Sequence, residues 1–168
     1  MLRPYKHFEN AKWLKIMRTL YYVLYGLIIV LFGLIWYHNY ETIGRTGQPY
    51  QLFAPNEQWG MLIQYFVIGY TLAVIPGVLY WMKRACRKIA KIEDEALRYD
   101  TYYTYADIRI GAIAIAVLFS LLAYWLLGAY KPMLWLAAIG AVALVFAKPT
   151  AAKTEEELRP QDESIPTY

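Results

Sequence analysis

Four stretches of this chain contain no Asp, Glu, Lys or Arg: residues 20–37, 59–82, 110–130 and 132–147. Histidine and cysteine are nearly missing as well. There are two histidines, His7 and His38, and one cysteine, Cys86. Each shortage excludes a kind of chemistry. A lone cysteine forms neither an internal disulfide nor a CxxC redox pair. It reads as an inert thiol on the reducing side of a membrane. The two histidines flank the first uncharged run at opposite ends, so they cannot ligate one metal or haem. With no acidic residue inside a run, there is no proton relay or buried ion-coupling site of the usual kind. The chain also has no phosphate loop and no dinucleotide fingerprint. The expectation is therefore no catalytic residues, no metal and no cofactor, and the chain leans away from being an enzyme.

What is present is apolar surface. Hydrophobic residues make up 59% of the 168, and only 18% are charged, against about 25% in ordinary soluble domains. A helix rises about 1.5 Å per residue, so about 20 residues cross the ~30 Å hydrocarbon layer. The first three runs meet that length, and the fourth, at 16 residues, is the shortest. A chain this small has too little interior to hide four apolar helices in a soluble fold. The runs do not alternate with period two, which excludes strands. The predicted fold is all-α: an integral membrane four-helix protein with antiparallel spans.

Basic residues set the orientation. Fifteen of the 17 Lys and Arg lie before the first run, between the second and third, or after the fourth. The two opposite loops hold only Arg45 and Lys131. This positive-inside bias places both termini in the cytoplasm of a multi-pass protein, with the bacterial inner membrane as the expected location. Basic residues hugging the run ends face lipid headgroups, not nucleic acid. The approach to the first run holds Glu9 and five basic residues, and no small-x-small pattern ends the run. It is expected to remain as an anchor.

Three regions follow. Residues 1–19 form an interfacial amphipathic segment mixing Phe8, Trp13, Leu14, Ile16 and Met17 with basic residues. Residues 20–148 form the transmembrane domain. Residues 149–168 form an acidic, proline-containing tail that stays disordered in isolation. The loop over 38–58 carries Gly44, Gly47, Pro49 and Pro55 and is expected to be turns. Gly128 and Lys131-Pro132 bracket a tight turn that makes the last two runs an antiparallel hairpin. After the second run, Ala85, Ile89, Ile92 and Ala96 form an apolar stripe. It predicts a cytoplasmic continuation of that helix to about Arg98.

Small residues recur every four positions: Gly69, Ala73 and Gly77 in the second run, and Ala112, Ala116 and Ser120 in the third. Such ladders let helices approach closely. They are expected to pack the second run on the third, with Pro76 kinking the second. Gln64, Tyr70, Thr71, Ser120 and Tyr124 are the candidate polar lining of a cavity. Ile89 and Ile92 support the helices internally or offer a surface to a partner, and Tyr99, Tyr102 and Tyr103 belong to the inner aromatic belt or contact a partner. Seventeen tyrosines and six tryptophans gather near the run ends as an aromatic belt. The expected function is a non-catalytic accessory or scaffolding subunit of a larger membrane complex. Its partners are membrane lipids and other integral membrane subunits, and a homo-oligomer is the other assembly. The alternative is a small channel, transporter or lipid- or quinone-binding protein.

Overall fold

In hydrocarbon the backbone has no water to bond, so uncharged runs close their hydrogen bonds as helices. A computed structural model describes the backbone of residues 5–148 and 150–158, and the side chains of these from Leu14 onward except Ala151 and Ala152. The elements are α1 (Tyr5–Thr46), α2 (Gln58–Ile89), α3 (Glu95–Leu126), α4 (Lys131–Phe146) and α5 (Ala151–Leu158). The protein is all-α, and α1, α2 and α3 are long and apolar enough to cross a membrane as a multi-span bundle. Helix α4 has 16 residues and reaches only about 24 Å.

Three boundaries differ from the sequence expectation. Helix α1 runs on through Thr46, into the segment expected to be turns. Glu41 and Arg45 pair one turn apart, and the Thr42 and Thr46 hydroxyls donate to the carbonyls of His38 and Thr42. Gly47, at φ +73°, then ends the helix. Its N–H donates to the Ile43 carbonyl at 2.9 Å, the left-handed cap that glycine adopts without steric cost. Helix α2 stops at Ile89 instead of reaching Arg98. The cause is Asp94, whose carboxylate accepts the Ala96 N–H at 3.0 Å and starts α3. The stripe from Ala85 to Ala96 is thereby split between two helices. The third difference is in the tail, where residues 151–158 form α5. Thr150 precedes it, and its hydroxyl accepts from the Lys153 N–H at 3.3 Å.

Helix α3 is the central element. Within its most apolar stretch 56% of residues are buried, against 17% in α1 and 11% in α2. The other three long elements all pack on it. Helix α1 contributes Met17, Tyr21, Ile28 and Ile35, spaced by turns along one face. Helix α4 contributes Met133, Ala137, Gly140 and Leu144, a stripe with steps of four, three and four. The rest of α1 and α2 turns large apolar side chains outward, among them Leu27, Val30, Leu62 and Phe66. Exposed aromatic rings gather toward the helix ends: Trp36, Tyr37, Tyr40 and Trp59 at one end of the bundle, Tyr80 and Trp81 at the other.

Each end of the bundle is closed differently. At the first end, Tyr50 stacks on Trp125 with centroids 4.9 Å apart, and the Trp125 indole N–H donates to His38 Nδ1 at 3.3 Å. The N–H groups of Leu52 and Phe53 both donate to the Leu126 carbonyl, at 3.0 and 3.1 Å. The loop is thus tied to the α3–α4 turn, where Gly128 takes φ +72°. The second end is basic. There Trp81 stacks on Tyr105 at 4.7 Å, Lys148 lies over the Tyr22 ring, and α5 folds back against α2.

Candidate functional site

The proposed small-residue contacts are distributed unequally. On α3, Ala116 and Ser120 are fully buried, and the Ser120 hydroxyl donates to the Ala116 carbonyl at 2.9 Å. Their neighbour Val117 meets Gly140 of α4 so closely that a Cβ at 140 would stand 2.6 Å from Val117 Cγ2. Ala112 is half-buried. On α2, by contrast, Gly69, Ala73, Pro76 and Gly77 are exposed. A Cβ on either glycine would meet no described atom within 4 Å. The expected intramolecular use of that ladder is therefore corrected. Gly140 of α4 lets Val117 of α3 approach closely, and the α2 ladder faces away from the described bundle. Pro76 sits inside α2 without ending it.

The five candidate cavity residues have separate surroundings. The Gln64 amide donates to the Pro55 carbonyl at 2.7 Å and anchors the loop. Gly60 lies one turn before it, so close to the loop that a Cβ there would stand 1.9 Å from the Ala54 carbonyl oxygen. Tyr70 meets Phe119 edge-on. Tyr124 is buried. Thr71 is also buried, and its hydroxyl has no hydrogen-bond partner among the described residues. An open depression lies elsewhere, against the loop at Thr42, Thr46, Gln48 and Glu57, and none of the five lines it.

The chain itself covers most of the expected partner surface. Ile89, Tyr102 and Tyr103 are buried, and Ile92 and Tyr99 are half-buried against the same core.

Among the described residues a dense polar cluster lies at the basic end, and the sequence pointed to Cys86 and Tyr102 but not to Arg109 or Glu157 in it. Arg109 of α3 has only 3% of its side chain exposed. Its Nη1 donates to both carboxylate oxygens of Glu157, at 3.1 and 3.4 Å. The Tyr102 hydroxyl, two turns earlier on α3, donates to Glu157 Oε2 at 2.7 Å. The Cys86 thiol of α2 lies 4.0 Å from the same oxygen. Lys153 Nζ is 3.9 Å from the other one and also donates to the Phe146 carbonyl. Thr154 and Leu158 are buried beside Glu157 and hold α5 down.

Electrostatics at this cluster follow from burial and from the one carboxylate. Burial, reinforced by Glu157, pushes the Cys86 thiol up to about 11. Burial and donation to Glu157 likewise raise the Tyr102 phenol. Burial and the nearby Arg109 charge lower Lys153. Both neutral donors therefore keep their protons at neutral pH. Against family models, curated proteins and solved structures, the chain matches none. Among the described residues no three His, Cys, Asp or Glu side chains gather as a metal site. The cluster is instead an oxyanion cradle: a guanidinium and a phenol around one carboxylate.

The sequence carried a faint signal for this. Arg109 directly abuts the third run, where a buried guanidinium differs in cost from a solvated one. In the tail, Thr154, Glu157 and Leu158 share one helical face. Nothing local joins the two segments, which lie 48 residues apart.

Proposed function

We propose that this chain is a four-span membrane protein with both termini on the positive-inside face, acting as a non-catalytic accessory or scaffolding subunit of a larger membrane complex. The observation that carries it is the open ladder on α2. Gly69, Ala73 and Gly77 present backbone to the outside with no described side chain over them. Lipid tails are as apolar as leucine, so helix association in a bilayer draws on close backbone approach. A ladder unused among the described residues suits a helix from another subunit. The charge asymmetry, 15 basic residues against two, supports the orientation and a bacterial inner membrane.

Native purification in a mild detergent tests the proposal. The wild-type chain should elute in fixed ratio with other integral membrane polypeptides. The double variant Gly69→Leu, Gly77→Leu should lose them while keeping its own helicity. Elution only with copies of itself, together with solute flux in liposomes, would favour a channel and overturn the accessory role. Reporters fused to the two termini should both read out on the cytoplasmic side.

A further inference from the structure

Arg109 is a buried charge with an incomplete set of partners. A guanidinium offers five N–H donors in a fixed fork. Here Nη1 alone is used, while Nε and Nη2 are buried with no partner among the described residues. Removing a charge from water is costly unless its remaining donors are also satisfied. Glu157 leaves that requirement half met, because both its oxygens already lie on Nη1 and Tyr102.

The occupant is weakly held. Helix α5 has eight residues, too few to be stable alone. Among its described side chains, Thr154 and Leu158 are buried and Lys153 donates to the Phe146 carbonyl. The surroundings favour anions. Arg109 adjoins Ile110, where the uncharged run begins, so it lies at headgroup depth. Lys83, Arg84, Arg87 and Lys88 are exposed at the adjoining end of α2. Basic pockets between helices at that depth take phosphate headgroups, and the arginine fork matches phosphate geometry.

We infer that Arg109 and Tyr102 form a binding seat for a phosphate-bearing anion, which Glu157 fills as a tethered, displaceable occupant. When the phosphate enters, its oxygens engage the idle Nε and Nη2 donors and α5 lifts away from Cys86. The anion is either the headgroup of an anionic phospholipid or free phosphate. A tethered carboxylate competes at an effective concentration on the order of millimolar, so a headgroup crowded at the membrane surface displaces it more readily than dilute phosphate. The seat would exist whether or not α2 has a partner helix.

Cys86 supplies the reporter, being the only cysteine in the chain and buried beside Glu157. The full chain is placed in nanodiscs of phosphatidylcholine, of phosphatidylcholine with phosphatidylglycerol, or of phosphatidylcholine with added inorganic phosphate at matched ionic strength. Maleimide labelling of Cys86 is then timed. Opening by displacement should speed labelling about tenfold with phosphatidylglycerol. An anionic surface alone would slow it, by raising the thiol pKa. Equal acceleration by inorganic phosphate would identify any phosphate anion as the ligand; acceleration by the lipid alone would identify the headgroup. Glu157→Gln should label fast in every disc and retain more phosphatidylglycerol in native mass spectra than wild type. Arg109→Lys, which keeps the charge but not the fork, should retain less and lose the lipid response. Wild-type labelling indifferent to both anions, or a Glu157→Gln variant that labels slowly or retains no extra lipid, would overturn the inference.

Discussion

Helix α2 and the α3–α4 hairpin carry small residues at the same spacing and use them in opposite ways. In the hairpin, Ala116, Ser120 and Gly140 are buried, and Val117 presses on the bare backbone of residue 140. On α2, Gly69, Ala73 and Gly77 look outward. The hairpin turn explains much of this. Only a few residues join α3 to α4, so the two helices must be antiparallel neighbours, and Val117 reaches Gly140 at little entropic cost. Helix α2 has no such enforced neighbour on its ladder side. A four-residue spacing thus states that close approach is possible, and chain connectivity decides whether the chain itself uses it.

The open space at Gly69 and Gly77 does not extend back to Gly60. The first turn of α2 is closed by the loop, which makes Gly60 the sharpest test. A Cβ there meets backbone, the Ala54 carbonyl oxygen at 1.9 Å, and backbone cannot swing aside as a side-chain tip can. Gly60→Ala should cost about 3 kcal/mol, the upper end for overpacking, and release the Gln64–Pro55 hydrogen bond. Thermal unfolding in detergent, followed by tryptophan fluorescence, reads this as a lowered midpoint. An unchanged midpoint would mean that the loop does not close α2.

Gly140→Ala should follow with a smaller loss. The new methyl meets Val117 Cγ2 at 2.6 Å, and a valine on a helix is nearly fixed at χ1. Relief has to come from separating α3 and α4 by a few tenths of an ångström, at a cost of about 1–2 kcal/mol. Val117→Ala made in the same chain should restore most of it, and a double-mutant cycle measures the coupling. Additive effects would break the contrast between hairpin and α2.

The α2 ladder should show almost no effect of this kind. Leucines at Gly69 and Gly77 enter open space and should shift the unfolding midpoint of the isolated chain by no more than about 0.5 kcal/mol, as for an ordinary surface change. A large loss would show that the ladder is covered within the chain, and the accessory-subunit proposal would lose its support.

How far the sequence foretold this arrangement depended on the range of the deciding contact. The uncharged runs and the α3–α4 turn were legible, because transfer to hydrocarbon and a tight turn are properties of neighbouring residues. The end of α2 was misread although its cause is local. Asp94 can cap a helix start, and an aspartate does better there than in a helix interior. The use of the α2 ladder and the Arg109–Glu157 pair were not legible. Both turn on which segment arrives from a distance, and α5 announces itself, among its described side chains, only through Lys153, Thr154, Glu157 and Leu158.

The smallest effect concerns the far end of α2, which α5 closes as the loop closes the first turn. Cys86 lies there beyond the second uncharged run, and its thiol is raised from 9.0 to about 11 by burial and then by Glu157. Only the thiolate reacts with a maleimide, so labelling should keep rising about tenfold per pH unit from about pH 8 to about pH 10. The sign follows from the shift: a raised thiol holds its proton longer in the folded chain, so the curve stays steep where a solvated cysteine has begun to level. Glu157→Gln removes the carboxylate's share of that shift, and its curve should flatten at lower pH than that of the wild type. Coincident curves that level near pH 9 would place Cys86 in open water and leave α2 uncovered at this end as well as along its middle.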